Sequence, residues 1–234
     1  FKVINLMNGY RQRGHLFTLT NPVRTRRKYR PTLDIENFGL TKDDLGKVFQ
    51  AGNEIGIGPA TLTKIIEHLD KTYCQSVGVE FAYIRNEEIY QLLRKKMAAG
   101  RNEPRFGKAV KSTILRKLTE AVGFEKFLHK RFPGQKRFSL EGGESLIPAL
   151  DAIIEKGAAL GAEEFLIGMP HRGRLNVLAN IMGKPYKDIF NEFSNKEYED
   201  EFLLGDVKYH LGATLQRPTH AGKSVDLTDR KSVV

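Results

Sequence analysis

The hydrophobic pattern is most informative around residues 146–183. Leu146, Ile147, Leu150, Ile153 and Ile154 recur at helical spacing and run out between Gly157 and Gly161. A short apolar run, Phe165-Leu166-Ile167, follows and is bounded by charge and glycine, the mark of a buried strand. Leu175 to Ile181 then returns to helical spacing and stops at Gly183, a residue suited to a helix C-cap. Helix, strand, loop, helix is the repeating unit of an α/β domain.

Upstream the pattern is helical. Val3, Ile4, Leu6, Met7 and Tyr10 predict a helix over 2–13, ended by Gly14. Asn21-Pro22 and Arg30-Pro31 mark a basic loop. Thr41 before Asp43 and Asp44 predicts a helix start, with Leu45, Val48 and Phe49 as its buried side. Asn53 to Pro59 reads as a loop, and Leu62, Ile65, Ile66 and Leu69 as an amphipathic helix. Val77, Val79, Phe81 and Tyr83 alternate, which suggests an extended segment. Asn86 before Glu87 and Glu88 opens a further helix, with Ile89, Leu92, Leu93 and Met97 facing inward. Ala99 to Gly107 is rich in breakers. Ile114, Leu115, Leu118, Val122, Phe127 and Leu128 mark one more helix, closed by Pro133-Gly134. Tyr186 to Phe193 is a short amphipathic helix, and Asn195 to Asp200 a charged connection expected to be mobile. The fold class expected is α/β: a mainly helical N-terminal region, then the start of an α/β domain.

Composition narrows the class without naming a function. The single cysteine, Cys74, excludes an internal disulfide framework and fits a reducing compartment. No apolar run approaches the roughly 20 residues that span a bilayer. No signal peptide opens the chain. It starts at Phe1 and is helical at once, so the native N-terminus is expected to be missing. The net charge is +10, much of it in Arg11, Arg13, Arg24, Arg26, Arg27, Lys28 and Arg30. Such a cluster permits a basic helical module that binds nucleic acid or an acidic partner. No nucleic-acid module is recognisable, and aromatics are not interleaved with the basic residues.

The candidate chemistry lies in the loop Gly168-Met169-Pro170-His171-Arg172-Gly173-Arg174. Loops at the carboxyl ends of strands are where open α/β sheets bind ligands. An imidazole, two guanidiniums and a helix start suit a carboxylate or a phosphate. Arg174 reads as a structural ion-pair residue. Gly205 to Gly212 is a second polar cluster between glycines and holds His210. Glu141, Glu144 and Asp206 show no metal-ligand spacing. His15, His68, His129 and His220 read as surface or cap histidines, and Cys74 as a small buried apolar residue.

Three blocks carry a family resemblance: Lys136 to Pro148, Gly168 to Asn176, and Gly205 to Gly212. Together they resemble the thiamine-dependent first component of the 2-oxoglutarate dehydrogenase complex, in that family's order and near its spacing. Weaker echoes are Tyr10 to Leu16 and Lys71 to Phe81. The resemblance covers about residues 1–212. It implies a helical region over 1–107, the first part of a thiamine-diphosphate-binding α/β domain over 108–221, and a tail over 222–234 that ceases to match and is read as foreign. Asn21-Pro22-Val23 and Ala82-Tyr83 also depart from the family's usual Asp-Pro-Leu and Met-His.

The resemblance implies oxidative decarboxylation of 2-oxoglutarate in the tricarboxylic acid cycle. Succinyl transfer would go to lipoyl groups of the dihydrolipoyl succinyltransferase component. The cofactors implied are thiamine diphosphate and Mg2+, with metal ligands expected downstream and none within this chain. His171 and His210 match the histidines that bind and orient the 2-oxo acid, and Arg172 the arginine beside the cofactor. The whole protein is expected to be a homodimer that binds neither membrane nor nucleic acid, in a bacterial cytoplasm or a mitochondrial matrix. The fragment alone is expected to be inactive. The alternatives are a related 2-oxo acid decarboxylase, a 2-oxoadipate dehydrogenase, or the basic binding module.

Overall fold

The computed structural model describes residues 1–20, 23, 32–193, 213–220 and 222–229. The chain divides into two compact units, Phe1–Arg105 and Phe106–Val234.

The first unit is built on helices α1 (Lys2–Arg13), α2 (Leu62–Tyr73) and α3 (Glu87–Gly100). Leu6 and Met7 of α1 meet Leu62, Ile65 and Leu69 of α2 in a fully buried core. Thr61 and Asn86 cap α2 and α3: their side-chain oxygens accept from the Lys64 and Ile89 N–H groups. Where the pattern predicts a helix after Thr41, the chain makes one 3₁₀ turn, Lys42–Asp44, closed by the Asp44 carboxylate on the Thr41 N–H at 2.9 Å. It then enters strand β1 (Val48–Phe49), paired antiparallel with β2 (Ala60–Thr61). Val48, expected inside, is 64% exposed. Its two-residue ladder consumes the backbone donors that a helix would have used.

Two other expectations change. Residues 77–86 form no strand, and of the four alternating residues Phe81 alone is buried. With no neighbouring strand to pair with among the described residues, alternation alone does not make a sheet. In α3 the buried side runs through Leu93, Met97 and Ala98, while Ile89 and Leu92 are about half exposed.

The second unit contains α4 (Lys108–Arg131), α5 (Leu146–Ala159), α6 (Arg174–Val177) and α7 (Tyr186–Phe193), with strands β3 (Glu164–Ile167), β4 (Ala213–Pro218) and β5 (Ser224–Asp229). The predicted strand at 165–167 and the helix at 186–193 are both present, but the strand is not buried as expected: Leu166 is 65% exposed, because helices cover only the face that carries Phe165 and Ile167. The helix after the candidate loop continues from α6 as a π-helical turn, Leu178–Met182, and stops at Gly183 with φ +82°. Along α4 the buried face is Ala121, Phe124, Glu125 and Leu128, whereas Leu115 and Phe127 lie at the surface.

The sheet order is β3-β5-β4, with β5 parallel to β3 and antiparallel to β4. Residues 224–229, in the tail expected to be foreign, thus form the central strand of the described sheet. One face of the sheet, with Val225 and Leu227 fully buried, packs on the core made by α4, α5 and residues 175–182. The other face carries Glu164, Thr214, Gln216 and Asp226, all exposed. Among the described residues no helix is long and apolar enough to cross a membrane.

Candidate active site

The candidate loop leaves the carboxyl end of β3 and is seated on the segment Arg137 to Leu140. The Gly173 N–H donates to the Phe138 carbonyl at 2.8 Å, and the Arg172 guanidinium reaches the Ser139 carbonyl at 3.4 Å. The rings of Phe138 and His171 lie 5.4 Å apart, tilted by 35°. Two of the three blocks singled out in the sequence therefore interlock. His171 is half-buried against Phe138, and Arg172 is exposed. His210, like Asp206 and the basic run Arg24 to Arg30, lies outside the described residues.

Backbone conformation fixes this seat. Phe138 has φ +42°, a left-handed conformation rarely taken by an aromatic residue. Such strain persists where the surroundings over-determine it. Here the Phe138 carbonyl and ring are both committed to the facing loop. Gly173 has φ +81°, and a Cβ built on it would stand 2.6 Å from Leu140 Cδ1. Gly173→Ala is therefore expected to cost about 1–3 kcal/mol, read as a lower urea midpoint. An unchanged midpoint would mean that the loop accepts a side chain there and is not tightly seated.

The expected anion site at the helix N-terminus is narrower than the sequence suggests. The Gly173 N–H is taken by Phe138, and the Arg174 N–H donates to the His171 carbonyl at 3.2 Å. Those two donors close the loop on itself. What the loop presents outward is the Arg172 guanidinium, a planar fork suited to phosphate or carboxylate. Arg174 is turned inward and makes a two-pronged ion pair with Asp229 of β5, as a structural residue would. Burial pushes the Asp229 carboxyl above its usual range, and Arg174 offsets part of that rise.

Below the loop lies a polar network that the sequence reading missed. Glu125, 3% exposed, accepts from the Leu140 N–H at 3.0 Å, from Asn176 Nδ2 at 3.1 Å and from Arg137 Nη1 at 2.8 Å. Asn176 also donates to the Ala121 carbonyl at 3.0 Å and accepts from Asn180 Nδ2 at 2.7 Å. One carboxylate thus ties α4 to both halves of the seat. The signal was present: Glu125 sits between Ala121 and Leu128 on the apolar stripe of α4, where an unpaired carboxylate would be costly.

The remaining candidates are accounted for locally. Glu141 accepts from Ser139 Oγ at 3.1 Å and from Arg137, and these bonds hold its carboxyl below the usual range, Ser139 first. Glu144 accepts from the Gly142 N–H at 3.0 Å. Burial, with Asp70 second, pushes the Cys74 thiol up to about 12, so it carries almost no thiolate near neutral pH. His15, His129 and His220 each lie near a charged neighbour: Glu80, Arg137 and Glu155. His68, read as a surface or cap residue, instead lines a cavity in the first unit.

No protein-family model matches the chain. Over 95% of its length it is homologous to proteins named 2-oxoglutarate dehydrogenase E1 component. It is 41% identical over 224 residues to that of Azotobacter vinelandii, covering 24% of that protein. It is 40% identical over 226 residues to that of Brucella anthropi, covering 23%, and 39% identical over 226 residues to that of Brucella canis, covering 22%. The chain thus spans about a quarter of the length of the curated relatives it matches.

Proposed function

We infer that this chain is a portion of the thiamine-dependent first component of a 2-oxoglutarate dehydrogenase complex, and that His171 and Arg172 stand in its active centre. The observation that carries the reading is the interlock of residues 136–148 with residues 168–176, which sets an imidazole and an outward guanidinium on one loop at a strand's carboxyl end. Identity near 40% to the E1 components supports it independently.

Decarboxylating a 2-oxo acid needs an electron sink that side chains do not supply; thiamine diphosphate, held with Mg2+, supplies it when bound. The residues present fit such an anionic group through Arg172, whose guanidinium is exposed and only weakly engaged by the Ser139 carbonyl. The His171 imidazole, held against Phe138, is placed to donate to a carboxylate or oxyanion of the substrate. His210 would be its counterpart from the second glycine-bounded loop. Succinyl transfer to the second component's lipoyl groups, and assembly as a homodimer, belong to this reading of the whole protein.

The test is steady-state kinetics on the full-length enzyme. His171→Ala and His210→Ala should each lower kcat/KM for 2-oxoglutarate about 10–100-fold, the scale of losing a hydrogen bond to a charged group. Arg172→Ala should raise the thiamine diphosphate concentration needed for half-maximal activity by a similar factor. Near-wild-type turnover by both histidine variants would overturn the reading. An unchanged cofactor requirement would remove Arg172 from it.

A further inference from the structure

The first unit holds a cavity of about 570 Å³ beside α2 and α3, within the ordinary size range of small-molecule clefts. Three permanent cations line it: Arg94, Lys95 and Arg101. Glu54 is the one carboxylate in the wall, and it is paired with Arg94 Nη2 at 2.9 Å. Lys95 has no carboxylate partner among the described residues, and Arg101 has only Glu103, outside the lining, at 3.9 Å. The Arg94 Nε is buried with no hydrogen-bond partner among the described residues, so that guanidinium is not fully satisfied by Glu54. Ile55, Ile57 and Ala98 supply an apolar wall.

Arg101 reaches this cavity through an unusual turn. It caps α3 at φ +52°, and Asn102 follows at φ +49°, two successive left-handed residues that are not glycine. The turn is pinned by the Asn102 side-chain amide, which donates to the Thr72 carbonyl of α2 at 2.6 Å. Strain of this kind has to be held in place by its surroundings. Here it returns a guanidinium to the neighbourhood of His68. That imidazole's affinity for a proton is lowered chiefly by burial, a backbone hydrogen bond at Ala98 opposing and Arg101 and Lys71 adding to the effect.

We propose that this cavity binds a phosphoryl anion carried on a small carbon skeleton. A phosphate monoester carries close to two negative charges near neutral pH, enough to engage Lys95 and the loosely held Arg101 together. A monocarboxylate has one charge to share between them. The carbonyl ends of α3 and of the 3₁₀ stretch Gln50–Ile55 also border the cavity and offset part of the positive potential. The full charge of Lys95, with Arg101 only loosely paired, outweighs those partial ones. A cationic lining that only complemented those carbonyl ends would need no cavity beside it.

The experiment is calorimetric titration of the whole 234-residue chain at low ionic strength with phenyl phosphate, inorganic phosphate and benzoate. Phenyl phosphate should bind saturably at one site, tighter than inorganic phosphate and at least about ten-fold tighter than benzoate. Lys95→Gln and Arg101→Gln should each weaken it about ten-fold, the scale of one charge-assisted hydrogen bond. Lys96→Gln, one residue along and outside the lining, should not. The His68 ring protons should shift with phenyl phosphate in NMR spectra. Absence of saturable binding, or an affinity untouched by Lys95→Gln, overturns the site. Equal affinity for phenyl phosphate and benzoate overturns the phosphoryl class. Equal affinity for inorganic and phenyl phosphate overturns the carbon skeleton and leaves a free-phosphate site. If Arg101→Gln impairs folding, Lys95→Gln still decides, because it alters an exposed residue.

Discussion

Arg174→Met should lower the unfolding free energy by about 3–5 kcal/mol, because it leaves a carboxylate buried without its counter-charge. Arg174 and Asp229 have side-chain exposures of 1% and 0%. They meet through two parallel contacts, Nη1 to Oδ1 at 3.1 Å and Nη2 to Oδ2. Such a pair contributes little net stability compared with an apolar replacement, yet losing one member is costly. The double variant Arg174→Met with Asp229→Leu should therefore recover most of the loss.

The pH dependence has a definite sign. Burial already raises the Asp229 carboxyl above its ordinary 3.8, and Arg174 is what holds it down. Without Arg174 it rises further. A carboxyl with a raised folded-state value favours folding most below its unfolded value. That contribution is lost as pH climbs through the folded one. The deficit of the single variant relative to wild type should thus be smallest near pH 4 and grow toward neutrality. Urea titrations at several pH values would read it. A deficit below about 1 kcal/mol, or one flat across that range, would refute the assignment of a buried ionised pair.

The second large effect is expected at Glu125. Glu125→Ala removes the acceptor for the Leu140 N–H and for Asn176 Nδ2, and it takes from Arg137, whose side chain is 16% exposed, its buried partner, leaving it only the exposed Glu141. About 3–5 kcal/mol should be lost. Glu125→Gln keeps an acceptor for the two neutral donors and gives up only the charge-assisted bond to Arg137, so about 1.5–3 kcal/mol is expected. In the full-length enzyme both variants should also lower kcat/KM, Ala more than Gln, because the segment that Glu125 holds carries Phe138, the seat of His171. The opposite order, or activity loss without destabilisation, would contradict a supporting role.

Much of this was legible in the sequence because it depends on local spacing. The strand at 165–167, the cap at Gly183, the amphipathic helix α2 and the helix at 186–193 each follow from residues within one turn or one pleat of each other. The errors arise where distant parts decide. Which face of α3 is buried depends on what packs against it, and Ile89 and Leu92 gave the wrong side. A two-residue ladder overrode the helix predicted after Thr41. At the candidate site, His171, Arg172 and the structural nature of Arg174 could be read from one loop. Asp229 could not, because its partner is 55 residues away, and for Glu125 the apolar stripe marks a buried carboxylate without naming its partners, which lie 12 to 51 residues away.

The strand order also bears on how the second unit comes to exist. β5, last of the three along the chain, lies between β3 and β4, and its parallel pairing joins Glu164 to Asp226 across 62 positions. Loops of that length close slowly, and pairings at large sequence separation delay folding. During synthesis β3 emerges well before β5, its neighbour in the sheet among the described residues, with an open edge and with Phe165 lacking Leu227 beside it. Over the same interval Arg174 waits for Asp229. The joining of β3 and β4 into one sheet therefore waits for residues 224–229. Until they leave the ribosome, the nascent chain carries the unpaired strand edge and uncovered apolar surface that chaperones recognise.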